Sequence, residues 1–178
     1  MQRLDDLMIV AAGPGDAAAL AEVHVASWRE AYAGLLPAAY LAQMSAPLYA
    51  RRWRRQLMAA RPPEIVLAAE GPAGLVGYCA GHVSLADSSA EVSTLYVLKS
   101  AQNLGLGRRL LVSAARVLRA RGAGSLCLWV LKDNTPARGF YEHLGAAPVG
   151  ERPVRGWGGA FDEMAYRWED IDRLARPG

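Results

Sequence analysis

The stretch QNLGLGRR, residues 102 to 109, carries two glycines separated by one residue, Gly105 and Gly107, followed by two arginines. It stands between an apolar run typical of a strand, STLYVL, and a leucine- and alanine-rich run typical of a helix. Glycine lets a ligand approach the backbone closely, and the first turn of a helix presents unpaired N–H groups and about half a positive charge. The pattern therefore predicts a backbone cradle for an anion, and a diphosphate fits it well.

Three kinds of diphosphate site compete for this stretch. A nucleotide P-loop requires lysine directly after its second glycine, and the arginines found there exclude that class. A dinucleotide fingerprint requires a third glycine where Leu110 stands, and its glycines belong at the strand end rather than eight residues beyond Val97. An acidic residue, Asp133, does follow the next strand, so a dinucleotide-binding protein stays as an alternative.

The third kind of site accounts for more residues. The block from Gln102 to Gly107 fits the pattern [QR]-x-x-G-x-[GA], and after the next strand NTPARGFYEHLGA places an asparagine, an alanine three later and a tyrosine seven later. Together these patterns resemble the coenzyme A loop and the second signature of the GNAT N-acetyltransferase superfamily. Many members have proline where Lys99 stands and glycine where Asn103 stands.

This resemblance implies acetyl-CoA as cofactor and transfer of its acetyl group to a primary amine, by direct attack in a ternary complex. It also implies a splayed strand whose backbone groups at Tyr96, Val97 and Leu98 are free for the thioester and the pantetheine arm. The residues implied in binding the cofactor are Tyr96, Val97, Leu98, Gln102, Asn103, Leu104, Gly105, Leu106, Gly107, Arg108, Asn134, Ala137 and Tyr141.

Two proton carriers are predicted for this chemistry. An alkyl amine with a pKa near 10.4 is mostly protonated at neutral pH, so a base must remove a proton before attack, and Glu91 at a strand start is the carboxylate for that role. The resemblance assigns protonation of the leaving thiolate to Tyr141. The alternatives are a solvated Glu91, a Tyr141 that merely packs beside Phe140, and an Asn134 that caps a helix.

The residues predicted for the acceptor amine are less strongly determined. Trp28 and Tyr32 are four residues apart and share a helix face, where they form either a pocket wall or core. Trp157 lies in RGWGG, which reads either as an aromatic flap or as an ordinary turn. With Glu91 these residues form the predicted acceptor site, and the amine can be a small molecule or a peptide.

The elements that must position these residues follow the order strand, helices, three strands, helix, strand, helix, two strands. We expect an α/β (α+β) fold in which about four helices flank a mixed, mostly antiparallel twisted sheet of about six to seven strands. Residues 1–178 are predicted to form a single domain with a core of about 8–168, and the tail after Trp168 looks dispensable.

Composition limits the remaining classes. The 178 residues carry a net charge of +3, much of it in RRWRR at 51–55, so a nucleic-acid-binding module is a second alternative. Neither nucleic acid nor membrane is expected as a partner.

Cys79 and Cys127 read as small buried residues. The three histidines are scattered, and no metal site is predicted. A cytoplasmic protein is expected, and the sequence leaves open whether it forms a homodimer.

Overall fold

The computed structural model describes residues 6–59, 64–84 and 86–175. The described strands are β1 (Met8–Ala11), β2 (Glu64–Gly71), β3 (Gly74–Val83), β4 (Ser89–Val97), β5 (Ser125–Leu131), β6 (Ala147–Gly156) and β7 (Gly159–Trp168). The described helices are α1 (Ala17–Ala31), α2 (Ala38–Gln43), α3 (Ala46–Ala59), α4 (Leu106–Ala120), α5 (Thr135–His143) and α6 (Ile171–Ala175). The predicted order of elements is confirmed.

The strands form one seven-stranded sheet in the order β1-β2-β3-β4-β5-β7-β6. Within it β4 and β5 run parallel, and every other neighbouring pair is antiparallel. The predicted fold class is therefore confirmed. The dinucleotide alternative is wrong, because that class of site belongs to a doubly wound, mostly parallel sheet.

Two layers of helix cover the sheet because its strands alternate apolar side chains between the two faces. On one face α4 buries a row of leucines, including Leu110 and Leu111, against a core that also contains Cys79. On the other face α1 and α3 pack Leu20 and Trp53 against β2 and β3. Cys79 is fully buried as predicted, whereas Cys127 is half-buried.

The segment after Trp168 belongs to the core, contrary to expectation. It forms α6, whose Ile171 and Leu174 are buried against α4. Arg116 on α4 also donates a hydrogen bond to the carbonyl of Ala175. The sequence pattern missed this helix because five residues are too short to display helical periodicity.

The arginine-rich stretch lies on α3, with its tryptophan turned into the core. Trp53 is buried and packs edge-on against Tyr78 at 5.2 Å, while the four neighbouring arginines are exposed. Because the indole points into the core, it is not available to stack on a base between the arginines. The predicted combination of arginine pairing with tryptophan stacking is therefore not present on this helix.

Candidate active site

A wedge opens in the middle of the sheet where β4 and β5 separate. The two strands are paired only from Ser89–Val92 on β4 to Ser125–Leu128 on β5. At the next residue, Ser93, a bulge interrupts the pairing of β4 with β3, and the rest of β4 continues without pairing to β5. A bulge bends its strand and redirects the side chains beyond it, which here separates β4 from β5.

The wedge exposes backbone groups at alternate residues of β4. Leu98 donates its N–H to the carbonyl of Val76 at 2.9 Å and accepts from the N–H of Ala101. In an antiparallel pair, the residues that are hydrogen-bonded to the neighbouring strand alternate along the chain. The backbone N–H and carbonyl of Tyr96 therefore also point toward β3, whereas those of Leu95 and Val97 point into the wedge. The prediction of free backbone groups is therefore wrong for Tyr96 and Leu98, and the sequence did not predict Leu95, because the motif does not show which alternate residues pair with β3.

Gln102 ties the wedge to the glycine loop. Its side-chain amide donates to the carbonyl of Val97 at 2.9 Å, so one side of the loop entrance is fixed to the end of β4. The loop then adopts left-handed backbone at Asn103, with φ of 60°, and at Gly105, with φ of 79°. Asparagine tolerates this conformation better than most residues, which explains how it replaces the family's glycine here.

The loop ends in a row of unused backbone donors. The N–H of Gln102 bonds to Lys99 and that of Arg109 to Gly105, but no described residue accepts from the N–H groups of residues 103 to 108. The side chain of Leu106 is buried in the core, so only its backbone faces the loop, and that of Arg108 is exposed. Six consecutive free amides at a helix N-terminus form an anion site.

Gly107 brings the loop close to the second motif. A Cβ at this position would lie 3.4 Å from the ring of Phe140 on α5, so α4 and α5 approach each other where the loop meets the helix. A methyl group would fit there in ordinary contact, whereas a longer side chain would press against the Phe140 ring. A small residue at this position therefore allows the close approach of α4 and α5 beside the loop.

Tyr141 lies on α5 with its ring among other aromatic side chains. Its centroid is 5.2 Å from Phe140 and 6.3 Å from both Tyr166 and Trp168. Burial raises the pKa of the Tyr141 phenol, and the nearby Tyr32 raises it further. No described residue forms a hydrogen bond with its hydroxyl, which leaves this proton available to a ligand.

Asn134 caps the helix that carries Tyr141. Its side-chain oxygen accepts a hydrogen bond from the N–H of Ala137 at 3.3 Å, as an N-cap residue does. The capping interpretation of Asn134 is therefore observed, and the spacing of three residues to Ala137 is the spacing of that cap. Binding of the pantetheine arm by Asn134 stays a prediction.

Glu91 stands at the closed end of the wedge. It is paired with His82 on β3 and with Cys127 on β5, and its neighbours in sequence are buried on the α4 face. The Glu91 side chain therefore projects from the opposite face, the face that also carries Tyr96. Five residues of strand separate Glu91 from Tyr96, a distance of roughly 15 Å between their α-carbons.

The predicted acceptor residues come together in an aromatic cluster beside the open end of the wedge. The rings of Trp28 and Tyr32 are 4.8 Å apart, and Trp157 meets Trp28 edge-on at 5.8 Å. The hydroxyl groups of Tyr32 and Tyr96 are 3.0 Å apart. Among the four residues predicted for the acceptor, the structure groups these three aromatic ones and leaves Glu91 apart.

The sequence missed one charged residue beside this cluster, Glu163 on β7. Only 8% of its surface is exposed, and the Tyr32 phenol is close enough for Glu163 to influence its pKa. The sequence contained a signal for this residue. Glu163 shares one strand face with Phe161 and Ala165, and in an amphipathic strand that apolar face is the buried one. A carboxylate at such a position requires a partner or a function.

Other site chemistries have little support in the described part of the chain. There, no group of three or more His, Cys, Asp or Glu side chains could hold a metal ion. Nor is any described helix both long enough and apolar enough to span a membrane. What remains distinctive is the wedge, the row of free amides and the aromatic cluster.

The comparisons with known proteins agree with this geometry. Residues 25–146 match the model of the acetyltransferase (GNAT) family, and the chain therefore belongs to that family, as the two sequence motifs predicted. A relative described as an uncharacterized N-acetyltransferase, YuaI of Bacillus subtilis, is 25% identical over 158 residues, which cover 87% of this chain and 88% of the relative.

Solved structures show the same fold. The PaiA N-acetyltransferase of Thermoplasma acidophilum, in complex with coenzyme A, superimposes with a TM-score of 0.70 at 21% identity and covers 91% of this chain and 99% of its own. A putative acetyltransferase of Salmonella typhimurium, YncA with its cofactor acetyl-CoA, gives 0.69 at 18% identity, covering 97% and 98%. The chain is thus an N-acetyltransferase by family, with an architecture shared by distant members.

Proposed function

We propose that this protein transfers the acetyl group of acetyl-CoA to a primary amine by direct attack within a ternary complex. The observation that carries the proposal is the row of six free amides at residues 103 to 108, adjoining a wedge with free backbone N–H groups at Leu95 and Val97. A diphosphate fits the amides, and a linear amide-containing arm fits the wedge. The structural neighbours that contain coenzyme A and acetyl-CoA support this choice of cofactor.

Acetyl-CoA supplies an acetyl group activated as a thioester. The chain contributes the donors that hold it. The amides of the loop bind the diphosphate, and the N–H groups of Leu95 and Val97 bind the arm and polarise the carbonyl at the wedge. Because these donors are backbone groups fixed by β4 and α4, they need little reorganisation on binding.

Tyr141 acts as the acid that protonates the departing sulfur. Its raised pKa keeps the phenol protonated throughout the neutral range, and its hydroxyl has no described partner that competes for the proton. A phenol is a weaker acid than a thiol, so this transfer requires close positioning, which packing of the ring against Phe140 and Trp168 supports.

Glu91 acts as the base that receives the proton of the amine. It projects from the acceptor face but lies at the closed end of the wedge, several residues from the aromatic cluster. This separation favours a proton path through water over direct contact with the amine. The half-buried position of Glu91 is compatible with such a path.

Direct attack is favoured over an acetylated cysteine. Burial raises the pKa of the Cys79 thiol to about 12, so almost none of it is thiolate at neutral pH. Burial also raises the pKa of Cys127, and the charge of Glu91 raises it further. Neither cysteine is therefore the activated nucleophile that a two-step mechanism would need.

Release of free thiol from acetyl-CoA, measured across a panel of alkyl and aryl amines, aminoglycosides and peptides, tests the proposed activity. We expect at least one acceptor, with initial rates that give intersecting double-reciprocal lines when both substrates are varied. Parallel lines would contradict direct attack. An absence of coenzyme A binding by calorimetry, together with no thiol release on the panel, would overturn the function itself.

A further inference from the structure

Glu163 is a nearly buried carboxylate on the acceptor side of the sheet. It faces away from the α4 layer, on the same face of β7 as Phe161, and it is paired in register with Leu131 on β5. Both Phe161 and Leu131 belong to the cluster that contains Trp28. A charged group at this position therefore forms part of the wall that is otherwise aromatic and aliphatic.

Only one oxygen of this carboxylate accepts hydrogen bonds from the described residues. Arg152 on β6 directs two nitrogens, Nε and Nη2, to Oε2 of Glu163, each at 2.8 Å. The guanidinium also lies 3.8 Å from the ring centroid of Trp129, which fixes it in place. No described residue donates to Oε1, so this oxygen keeps its capacity to accept hydrogen bonds.

The Glu163 carboxylate lies on the same side of the sheet as the aromatic cluster. Burial is the main cause of the raised pKa of Tyr32, and the negative charge of Glu163 raises it further, which shows that the carboxylate and the phenol are close. The Tyr32 hydroxyl in turn reaches that of Tyr96 on the wedge. Glu163 and Tyr32 therefore lie on the same side of the sheet as the opening where the cofactor arm is proposed to lie.

A tight hairpin completes the aromatic wall. Trp157 and Gly158 form a two-residue turn between the paired Gly156 and Gly159, with φ of 50° and 80°, the values of a type I′ turn. A tryptophan at positive φ costs about 1 kcal/mol or more, so packing must hold it there. Trp157 packs against Trp28 and Phe161.

We propose that Glu163 and this wall select the acceptor: Oε1 binds the ammonium group, and the rings of Trp28, Tyr32 and Trp157 bind an apolar alkyl or aryl body. The inference rests on the proposed function and narrows it to primary amines without a carboxylate beside the amine, because a carboxylate there would approach Glu163. Aromatic faces attract cations as well as apolar groups, which suits such a ligand.

Binding of three small probes in the presence of coenzyme A tests this selection, with tryptophan fluorescence or calorimetry as the readout. Phenethylamine has the charge and the apolar body, 2-phenylethanol has the body alone, and phenylalanine adds a carboxylate. We expect phenethylamine to bind at least about 10-fold more tightly than either of the others, as expected for one charge-assisted hydrogen bond in a largely buried site.

Two substitutions separate charge recognition from stability. Glu163→Gln should lower the affinity for phenethylamine to that for 2-phenylethanol, and it should leave the affinity for 2-phenylethanol unchanged. Arg152→Gln should raise the affinity for phenethylamine, because the carboxylate then loses its internal counter-ion, and a loss of folding cannot produce that gain. Glu151→Gln is the matched control, since Glu151 is an exposed carboxylate of β6 paired with Lys132. It should leave the affinities for both probes unchanged.

The wall is tested by Trp157→Ala, which should weaken phenethylamine and 2-phenylethanol by similar factors. The inference is overturned if phenethylamine fails to bind the parent protein at millimolar concentration, or if Glu163→Gln retains the preference for phenethylamine over the alcohol. These results are independent of turnover. If coenzyme A binds and thiol is released with other amines, the proposed function stands although the acceptor class is wrong.

Discussion

The two halves of the candidate site differ in the groups they present, which are backbone amides in one half and side chains in the other. On the proposed cofactor side, the groups available to a ligand are backbone: free amides at residues 103 to 108 and alternate residues of β4. On the proposed acceptor side, they are side chains: Trp28, Tyr32, Trp157 and Glu163, which come from α1 and its C-cap, the β6–β7 turn and β7. The first half is one continuous stretch of chain, and the second is assembled from distant parts.

The two halves of the site therefore differ in how they tolerate substitution of side chains. Backbone amides are the same whatever side chain follows, so the cofactor half requires only that glycine or another small residue leave room for the ligand. The acceptor half changes with every substitution in its aromatic wall. A fold of this kind can therefore keep one donor and exchange acceptors, and substitutions in the two halves should affect different measurements.

The largest expected effect is in the cofactor half. Gly107→Asp introduces a negative charge within the row of free amides and should weaken coenzyme A binding at least about 10³-fold, beyond detection by calorimetry. Gly107→Ala is the matched control: its methyl group would contact Phe140 at an ordinary distance and should leave affinity within a few-fold. Equal affinity in the two variants would contradict the backbone cradle.

Acid should destabilise the acceptor half through His24 on α1. Burial, with a contribution from Arg52, lowers the pKa of this imidazole to about 4, whereas an unfolded histidine has a pKa of about 6.5. Between these two pKa values the unfolded state binds a proton at His24 that the native state does not bind. The free energy of unfolding therefore falls as the pH drops from about 6.5 to about 4, and His24 accounts for roughly 3 kcal/mol of that loss.

Urea unfolding at pH 7.5, 6, 5 and 4 measures this loss. The gap in unfolding free energy between the parent and His24→Gln should narrow toward acid pH. His143, exposed on α5, is the control site, and His143→Gln should run parallel to the parent. If His24→Gln also runs parallel, the histidine is not the group that makes α1 sensitive to acid.

Tyr141 tests the point where the two halves meet. Tyr141→Phe keeps the ring and removes the hydroxyl, so kcat should fall about 10²-fold while coenzyme A affinity and thermal stability are retained. Phe140→Leu controls for packing alone on the same helix and should preserve most of kcat. An unchanged kcat in Tyr141→Phe would remove the tyrosine from the role of acid.

The smallest expected effect belongs to Glu91, because water lies between it and the amine in the proposed path. Glu91→Gln should lower kcat/KM by about 10-fold at neutral pH, and the loss should shrink as the pH rises and more of the amine is free base. The loss in Tyr141→Phe should not recover in this way. A Glu91→Gln profile that stays parallel to the parent would exclude Glu91 as the base.

The sequence by itself determined the cofactor half and the order of elements. The glycine spacing, the asparagine three residues before an alanine, and the helical and strand periodicities are local, and each is set by hydrogen bonds within a few residues. Local signals of this kind identified the family and located the loop at QNLGLG before any tertiary contact was known. They failed for α6, whose burial depends on α4.

Tertiary structure alone decided which backbone groups of β4 are free and what surrounds the acceptor. The bulge at Ser93 and the separation from β5 fix the alternation that selects Leu95 and Val97 over Leu98. The clustering of Trp28 and Tyr32 with Phe161 brings together residues from opposite ends of the chain. Contacts between such distant residues depend on how sheets and helices pack, and no periodicity within one element encodes them.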